Sequence, residues 1–441
     1  MSELAIFGGT KSVTLSAGDM FKWPIITQED EQAVLEVLRR GGMSGTDVTV
    51  AFEQDFCNWI GSKYALGHSS GTASLLAAMY GVGLGIGDEM ITPSVTYWAS
   101  AIQCFDLGAT PVFVDIDPVT MCIDPKKIEA SIGPKTKAIM VVHAYSCVAD
   151  MDPIMEIARK HNLKVIEDAS HAQGALYKGR KVGTIGDVGA MSLMSGKSLA
   201  VGEAGILVTD DLEIYERAVC LGHYERMGKL SWEGAPYFKL YSGLPLGGYK
   251  FRMHQLSSAV GRVQLAHYDE RCAEIDKAMT YFWDLLKDVP CVSPIMSDKS
   301  VGSTNGGWYA SLGAYHREAV DGMSLTQFKK ACAAEGCSLG SGANAALHTH
   351  PLMKTCDVYG HGKPTRVAKA DRDVRALDTL LPISEKIAFS RFSPPWFKHF
   401  RPALIEQYAN AIKKVYANYK ELLASDPGDP EVMGVFHHTR H

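Results

Sequence analysis

The sequence predicts an α/β protein: a large domain built on a mostly parallel sheet with helices on both faces, then a smaller α+β domain. Two observations predict it. Between about Ser69 and Asp211, short apolar segments alternate with helical ones, and the apolar segments run continuously. Strands that are apolar on both faces belong inside a parallel sheet covered on both sides. After about residue 290 this alternation stops, and the loops become richer in Pro, Gly and Ser.

The elements follow in chain order. Thr27 and Asp30 form a capping-box pattern, with Val34, Leu35, Val37 and Leu38 on one face of the helix behind it. That helix should stop near Gly41 and Gly42. GTASLLAAMYGVGL (71–84), ASAIQCFDLG (99–108) and DPIMEIARKHN (152–162) read as helices. DEMITPS (88–94), TPVFVDID (110–117), KAIMVVHAY (137–145), KVIEDAS (164–170), GDVGAMSL (186–193) and AGILVTDD (204–211) read as strands. Segments 323–336 and 402–424 read as later helices. The chain therefore divides into an N-terminal arm and helix (1–45), a large domain (46–290), a small C-terminal domain (291–424) and a tail (425–441) expected to dock loosely or not at all.

Bulk properties exclude several classes. A chain of 441 residues is long enough for two or three domains. A net charge of -5 without long Lys/Arg runs argues against a nucleic-acid surface. No apolar stretch has the length needed to span a bilayer, and the N-terminal segment lacks a signal-peptide pattern. The ten cysteines show no CxxC or zinc-ligand spacing, so no metal is expected and reduced thiols in a cytoplasmic protein are the simple reading.

Four features fall at predicted strand ends or helix starts, where open α/β sheets place ligands. Ser69, Ser70, Gly71 and Thr72 precede a helix, so its first N–H groups can meet a phosphate; a plain N-cap is the alternative. Asp168 ends an apolar strand, and a partly desolvated carboxylate there needs a cationic partner. A protonated pyridine nitrogen is one such partner, and a salt bridge or helix cap is another. His171 nearby fits either a structural or a catalytic role. Lys197 lies among Gly and Ser between two strands, where partial dehydration would make its amine a better nucleophile; a surface lysine is the plainer reading. Tyr97 and Trp98 follow a strand and can stack on a flat ring or fill a core.

Taken in order, these segments resemble the DegT/DnrJ/EryC1/StrS family of pyridoxal-phosphate (PLP) aminotransferases. The likeness runs from about residue 5 to 420. It is carried by SSGTASLLAAMYGVGLGIGDEMITPSVTYWAS, DLGATPVFVDID, KVIEDASHAQGA, SGKSLAVGEAGILVTDD and LGGYKFRMHQLSSAVGRVQL. The resemblance implies PLP fold type I, with a mostly parallel seven-stranded sheet flanked by helices and PLP as cofactor. It implies that Lys197 holds PLP as a Schiff base and shuttles a proton, that Asp168 pairs with the pyridinium nitrogen, and that Ser70, Gly71, Thr72 and Ser192 hold the phosphate. Tyr97 would stack on the ring. His171 would stand near the ring hydroxyl, with Gln173 a second candidate. His348 and His350 match a substrate-side segment, with a capped loop as the equal alternative. It further implies a homodimer with active sites at the interface, and places Gly248–Met253 where the neighbouring subunit reaches across.

The chain also departs from the family pattern. Lys250 stands where relatives carry an Asn that reaches the phosphate from the other subunit; it would offer a point charge instead of an amide, or equally face an acidic substrate group. Gly202 to Gly205 read GEAG where relatives read GEGG. Lys197 stands where the dehydratase branch carries His. The expected activity is ping-pong transfer of an amino group from glutamate or glutamine to a keto-sugar or keto-cyclitol. Another fold type I PLP reaction (dehydratase or lyase) and a non-catalytic, regulatory PLP-binding protein are the other readings.

Overall fold

A computed structural model describes residues 3–357, 360, 362 and 380–435. Seven strands form the large sheet: β1 (Tyr64–His68), β2 (Glu89–Pro93), β3 (Thr110–Val114), β4 (Thr136–Val142), β5 (Lys164–Asp168), β6 (Val188–Ser192) and β7 (Gly205–Thr209). Their spatial order is β1-β7-β6-β5-β4-β2-β3. The five strands from β6 to β3 are mutually parallel; β7 runs antiparallel to both β6 and β1. The predicted fold class is therefore the observed one. Six strands lie where the apolar runs placed them. The seventh, β1, is short and contains Gly67, so its pattern is weak; it forms because pairing with β7 satisfies its backbone.

Helix α1 (Gln28–Arg39) starts at the predicted capping box, with Thr27 and Asp30 bonded reciprocally. Only one side of α1 is covered. Val37 is buried, whereas Leu35 and Leu38 stay exposed. Helix α2 (Asp47–Ile60) precedes β1, and α3 (Gly71–Gly81) follows it. α3 is apolar around nearly its whole circumference, and its Ala and Gly residues let it lie close under the sheet. The predicted helix at 99–108 is instead two short 3-10 turns, Trp98–Ser100 and Ile102–Leu107.

A second core lies beyond the sheet. It is built by α4 (Tyr268–Leu285), the three strands β8 (Val292–Pro294), β9 (Gly313–Tyr315) and β10 (Arg391–Phe392), and helices α5 (Leu325–Ala334) and α6 (Pro402–Ala417). Leu4 and Met20 of the N-terminal arm are fully buried in it. The expectation of a loose tail needs correction for residues 426–435. Asp426 accepts from the Ser324 N–H and hydroxyl, and Asp429 from the Thr326 N–H and hydroxyl, while Asp429 also pairs with Arg317. Its aspartates cap the open start of α5, a tertiary contact invisible in local periodicity. Residues 436–441 lie outside the described residues.

No disulfide joins the cysteines among the described residues. No helix among the described residues is long and apolar enough to cross a membrane. The described residues contain no group of three or more His, Cys, Asp or Glu able to hold a metal ion.

Candidate active site

Parallel strands end together, so their carboxyl ends gather the loops that follow them. Val142 of β4 stands beside Asp168 of β5, and Asp168 beside Ala190 of β6. Above this edge lies a cavity of about 540 Å³. It is lined by Ser70, Gly71, Thr72, Tyr97, Asp168, His171, Ser192 and Lys197 among others. Eight residues singled out from sequence therefore converge, although they are spread over 128 positions (70 to 197).

Strand alternation separates the two neighbouring acids of β5. Glu167 points away from the cavity into the interior. There it accepts from the N–H groups of Gly183, Ile185 and Gly186 and lies 2.9 Å from His143 Nε2. Burial alone raises its carboxyl, but His143 and the backbone donors outweigh that and leave it below the ordinary range. Asp168 points into the cavity. Its Oδ2 accepts from Ser100 Oγ at 2.6 Å and its Oδ1 from the Ser170 N–H at 3.0 Å. The Ser100 proton is thus committed to the carboxylate, so the contact of 3.0 Å between Thr96 and Ser100 hydroxyls must run with Thr96 donating. Two donors on different oxygens lock the carboxylate plane and leave its outer lone pairs to the cavity.

Lys197 is 8% exposed. Burial pushes its amine down to about 8, while the Asp168 charge opposes the shift. Its Nζ lies 4.4 Å from the centre of the Tyr309 ring, and its carbonyl accepts from Trp23 Nε1 at 2.8 Å. His171 is held well below its ordinary range by burial and then by the Lys197 charge. It is therefore a neutral imidazole. Its Nδ1 accepts from the Tyr145 N–H at 3.4 Å, which places the ring proton on Nε2. Tyr145 and Tyr309 pack on either side of it.

The start of α3 supplies the anion end. Ser70 caps the helix by accepting from the Ala73 N–H. Gly71 packs so closely on β6 that an added Cβ would lie 2.5 Å from Ser192 Cβ. Helix N–H groups and a positive dipole end facing a cavity fit a phosphate. Tyr97 lines the cavity and is 38% exposed, with the Trp98 ring packed against it at 4.8 Å between centres. A nucleophilic amine, a fixed carboxylate, an anion cradle and an aromatic plate are the parts PLP requires, and the residues present fit it.

Three expectations end elsewhere in this chain. Gln173 is fully buried, and its amide is consumed by Ser192 O, Leu199 O, Ser198 Oγ and the Leu199 N–H. It braces the Lys197 loop and does not line the cavity. His348 is buried with both ring nitrogens engaged, by Ser94 Oγ at 2.6 Å and Glu385 Oε1 at 3.2 Å. His350 accepts from the Leu352 N–H and so caps a short helix. Neither histidine lines the cavity, so the capped-loop alternative describes them. Lys250, which the resemblance assigns to the neighbouring subunit's site, is exposed beside Arg252 on a separate shallow pocket with Met43, Ser44 and Gly45. Conversely, sequence reasoning passed over Ser100, Ser170, Tyr145, Tyr309, Asn344 and Val435. Ser170 stood inside a motif already singled out; Tyr309, Asn344 and Val435 come from a distant part of the chain and carry no local signal.

The model of the DegT/DnrJ/EryC1/StrS aminotransferase family matches residues 24–402. The chain belongs to this family. GDP-perosamine synthase of Caulobacter vibrioides is 41% identical over 233 residues, 53% of this chain and 60% of that protein. L-glutamine:scyllo-inosose aminotransferase of Streptomyces griseus is 31% identical over 96% of this chain and 99% of that protein. The crystal structure of an aminotransferase from Psychrobacter cryohalolentis superposes with a TM-score of 0.75 at 27% identity, covering 90% of this chain and 99% of that one. As a DegT/DnrJ/EryC1/StrS member, this chain is a PLP-dependent aminotransferase of PLP fold type I.

Proposed function

We propose that the enzyme transfers an amino group from glutamine or glutamate to a keto-cyclitol or keto-sugar, in two half-reactions at one site. The observation that carries this reading is that Lys197 and Asp168 share a cavity whose wall also offers hydroxyl and amide groups: Thr96, Ser341, Asn344 and Ser393. A polyhydroxylated acceptor needs such a wall. The near full-length likeness to a glutamine:scyllo-inosose aminotransferase supports the donor and the acceptor class.

Bound PLP supplies an aldehyde carbon that links to amines and a ring that withdraws electrons from the bond to be broken. Lys197 Nζ would hold the cofactor through its aldehyde carbon and be freed when a donor amine takes its place. The freed amine then takes the proton from the donor α-carbon, a task suited to a base near neutral pKa. Asp168 would hold a proton at the ring nitrogen and stabilise the positive ring. Ser70, Gly71, Thr72 and Ser192 would hold the phosphate, Tyr97 would cover the ring, and neutral His171 would offer its Nε2 proton to an oxygen. Homodimer formation belongs to the same proposal. It is supported by the exposed apolar loop that precedes Lys250, where Leu240, Tyr241 and Leu244 are 85%, 51% and 74% exposed.

The test is the visible spectrum of the protein with PLP, before and after glutamine or glutamate. The lysine-bound band should appear and then be lost to the amine form. Adding scyllo-inosose, or a nucleotide-linked keto-sugar, should restore it and separate the two acceptor classes. A band that no amino donor moves would leave a binding protein in place of a transferase.

Two further results are expected. Capture of PLP by the cofactor-free protein requires neutral Lys197. Below pH 8 the protonated form dominates, so the rate should rise about tenfold per pH unit and level off above 8. A rate that keeps rising through pH 10 without levelling off would refute the lowered lysine. Ser100→Ala removes a charge-assisted hydrogen bond from Asp168 and should slow the donor half-reaction roughly tenfold. Ser100→Thr should keep most of the rate. Equal rates in wild type and Ser100→Ala would show that Ser100 does not position Asp168.

A further inference from the structure

The C-terminal segment leaves the small domain and returns to the active-site cavity. Its first part is anchored at α5 by Asp426 and Asp429, and the Asp429 side chain is only 8% exposed. Its last described residues pair with the segment Ala343–Ala345. The Val435 N–H donates to Ala343 O at 3.1 Å, and the Ala345 N–H donates to Val435 O at 2.9 Å, in a parallel bridge centred on Asn344. Gly434 makes this approach possible. Its φ is +112°, and an added Cβ would lie 2.6 Å from the Ala345 nitrogen. Beyond Gly434, Val435 forms part of the cavity wall.

This wall is tied to the reactive centre. The Asn344 N–H donates to Tyr145 Oη at 2.7 Å. Tyr145 is fully buried in the cavity wall and rests against His171, whose Nδ1 it also holds through its own N–H. A contact chain therefore runs from Val435 through Asn344 and Tyr145 to His171. The wall on this side carries the polar residues Ser341, Asn344 and Ser393. Val435 adds branched apolar bulk to this wall, which also carries the small residues Ala310 and Gly342. The strap lies wholly beyond residue 402, where the family model ends.

We propose that residues 426–435 are a fixed strap that completes the substrate side of the cavity, and that Val435 limits the size of the group admitted beside Lys197. The proposal rests on the reading of this cavity as the PLP site. It assigns a specificity role to a segment that does no chemistry, and it predicts that changes there alter which amines enter more than how fast the smallest one reacts.

The test uses full-length protein loaded with PLP and two chemical probes. Hydroxylamine and O-benzylhydroxylamine both displace Lys197 from the cofactor through attack by their amine nitrogen, releasing the lysine amine and shifting the visible band. The ratio of their rate constants reports the space beside Lys197 independently of turnover. Relative to wild type, Val435→Ala and a chain ending at Met433 should raise the bulky-to-small ratio about fivefold or more, and Val435→Trp should lower it by a similar factor. A chain ending at Val435 should match wild type, which separates the strap from the residues after it. A second readout needs no cofactor. In the apo protein, amide exchange at Ala345 should quicken at least about tenfold in the chain ending at Met433, but not in the chain ending at Val435. Ratios within twofold of wild type in every variant would overturn the strap while leaving the PLP site intact. A wild-type protein that forms no lysine-bound band would overturn the PLP site, and this proposal with it.

Discussion

Lys197→Ala is expected to abolish the visible lysine-bound band and to lower transamination by at least about a thousandfold, because one side chain supplies both the covalent anchor and the proton carrier. The fold should survive. Lys197 is buried without a carboxylate in salt-bridge contact among the described residues, so its removal strands no ion-paired partner. Its carbonyl bond to Trp23 does not depend on the side chain. Circular dichroism should therefore match wild type while the absorption spectrum does not. Retained turnover in the alanine variant would remove Lys197 from the mechanism.

Asp168→Asn should slow the donor half-reaction by about a hundredfold or more while still allowing the lysine-bound band to form. The substitution keeps the shape of the side chain but removes its charge, so the ring nitrogen loses the group that keeps it protonated. The surrounding bonds sharpen the expectation. One amide oxygen can still accept from Ser100 or from the Ser170 N–H, but not from both in the present geometry. The loss should therefore exceed that of Ser100→Ala, which leaves the charge in place. Rapid-mixing spectra with glutamine measure both. A half-reaction in Asp168→Asn as fast as wild type would show that this carboxylate does not serve the ring.

The comparison of Glu167 with Asp168 shows how much of the site was legible beforehand. The sequence places two acids at the end of one strand, and period-two alternation guarantees that they face opposite ways. Which of them meets the cavity follows only from the layers above and below. Glu167 is consumed by His143 and three backbone donors, and Asp168 is left for the site. Gln173 illustrates the opposite case. Its position near His171 suggested contact with the cofactor, yet its amide is saturated by the loop it braces. His348 likewise had the right segment and the wrong surroundings: both its nitrogens are spent on Ser94 and Glu385, more than thirty positions away in each case.

The sequence by itself determined the alternation of helices and buried strands, and hence a parallel sheet with ligands at its carboxyl edge. It also determined the residues that need that edge: Ser70 to Thr72 at a helix start, Asp168 at a strand end, Lys197 in the loop before β7. These are local properties, set by hydrophobic period, small residues and capping chemistry within a few positions. The tertiary structure alone decided which hydroxyl orients Asp168, how far Lys197 is stripped of water, and that Tyr309, Asn344 and Val435 close the cavity. Those contacts join segments that lie from 68 (Ser100 to Asp168) to hundreds of residues apart. Their energies depend on burial and on partners brought together only when the two cores pack, so no local pattern in the chain encodes them.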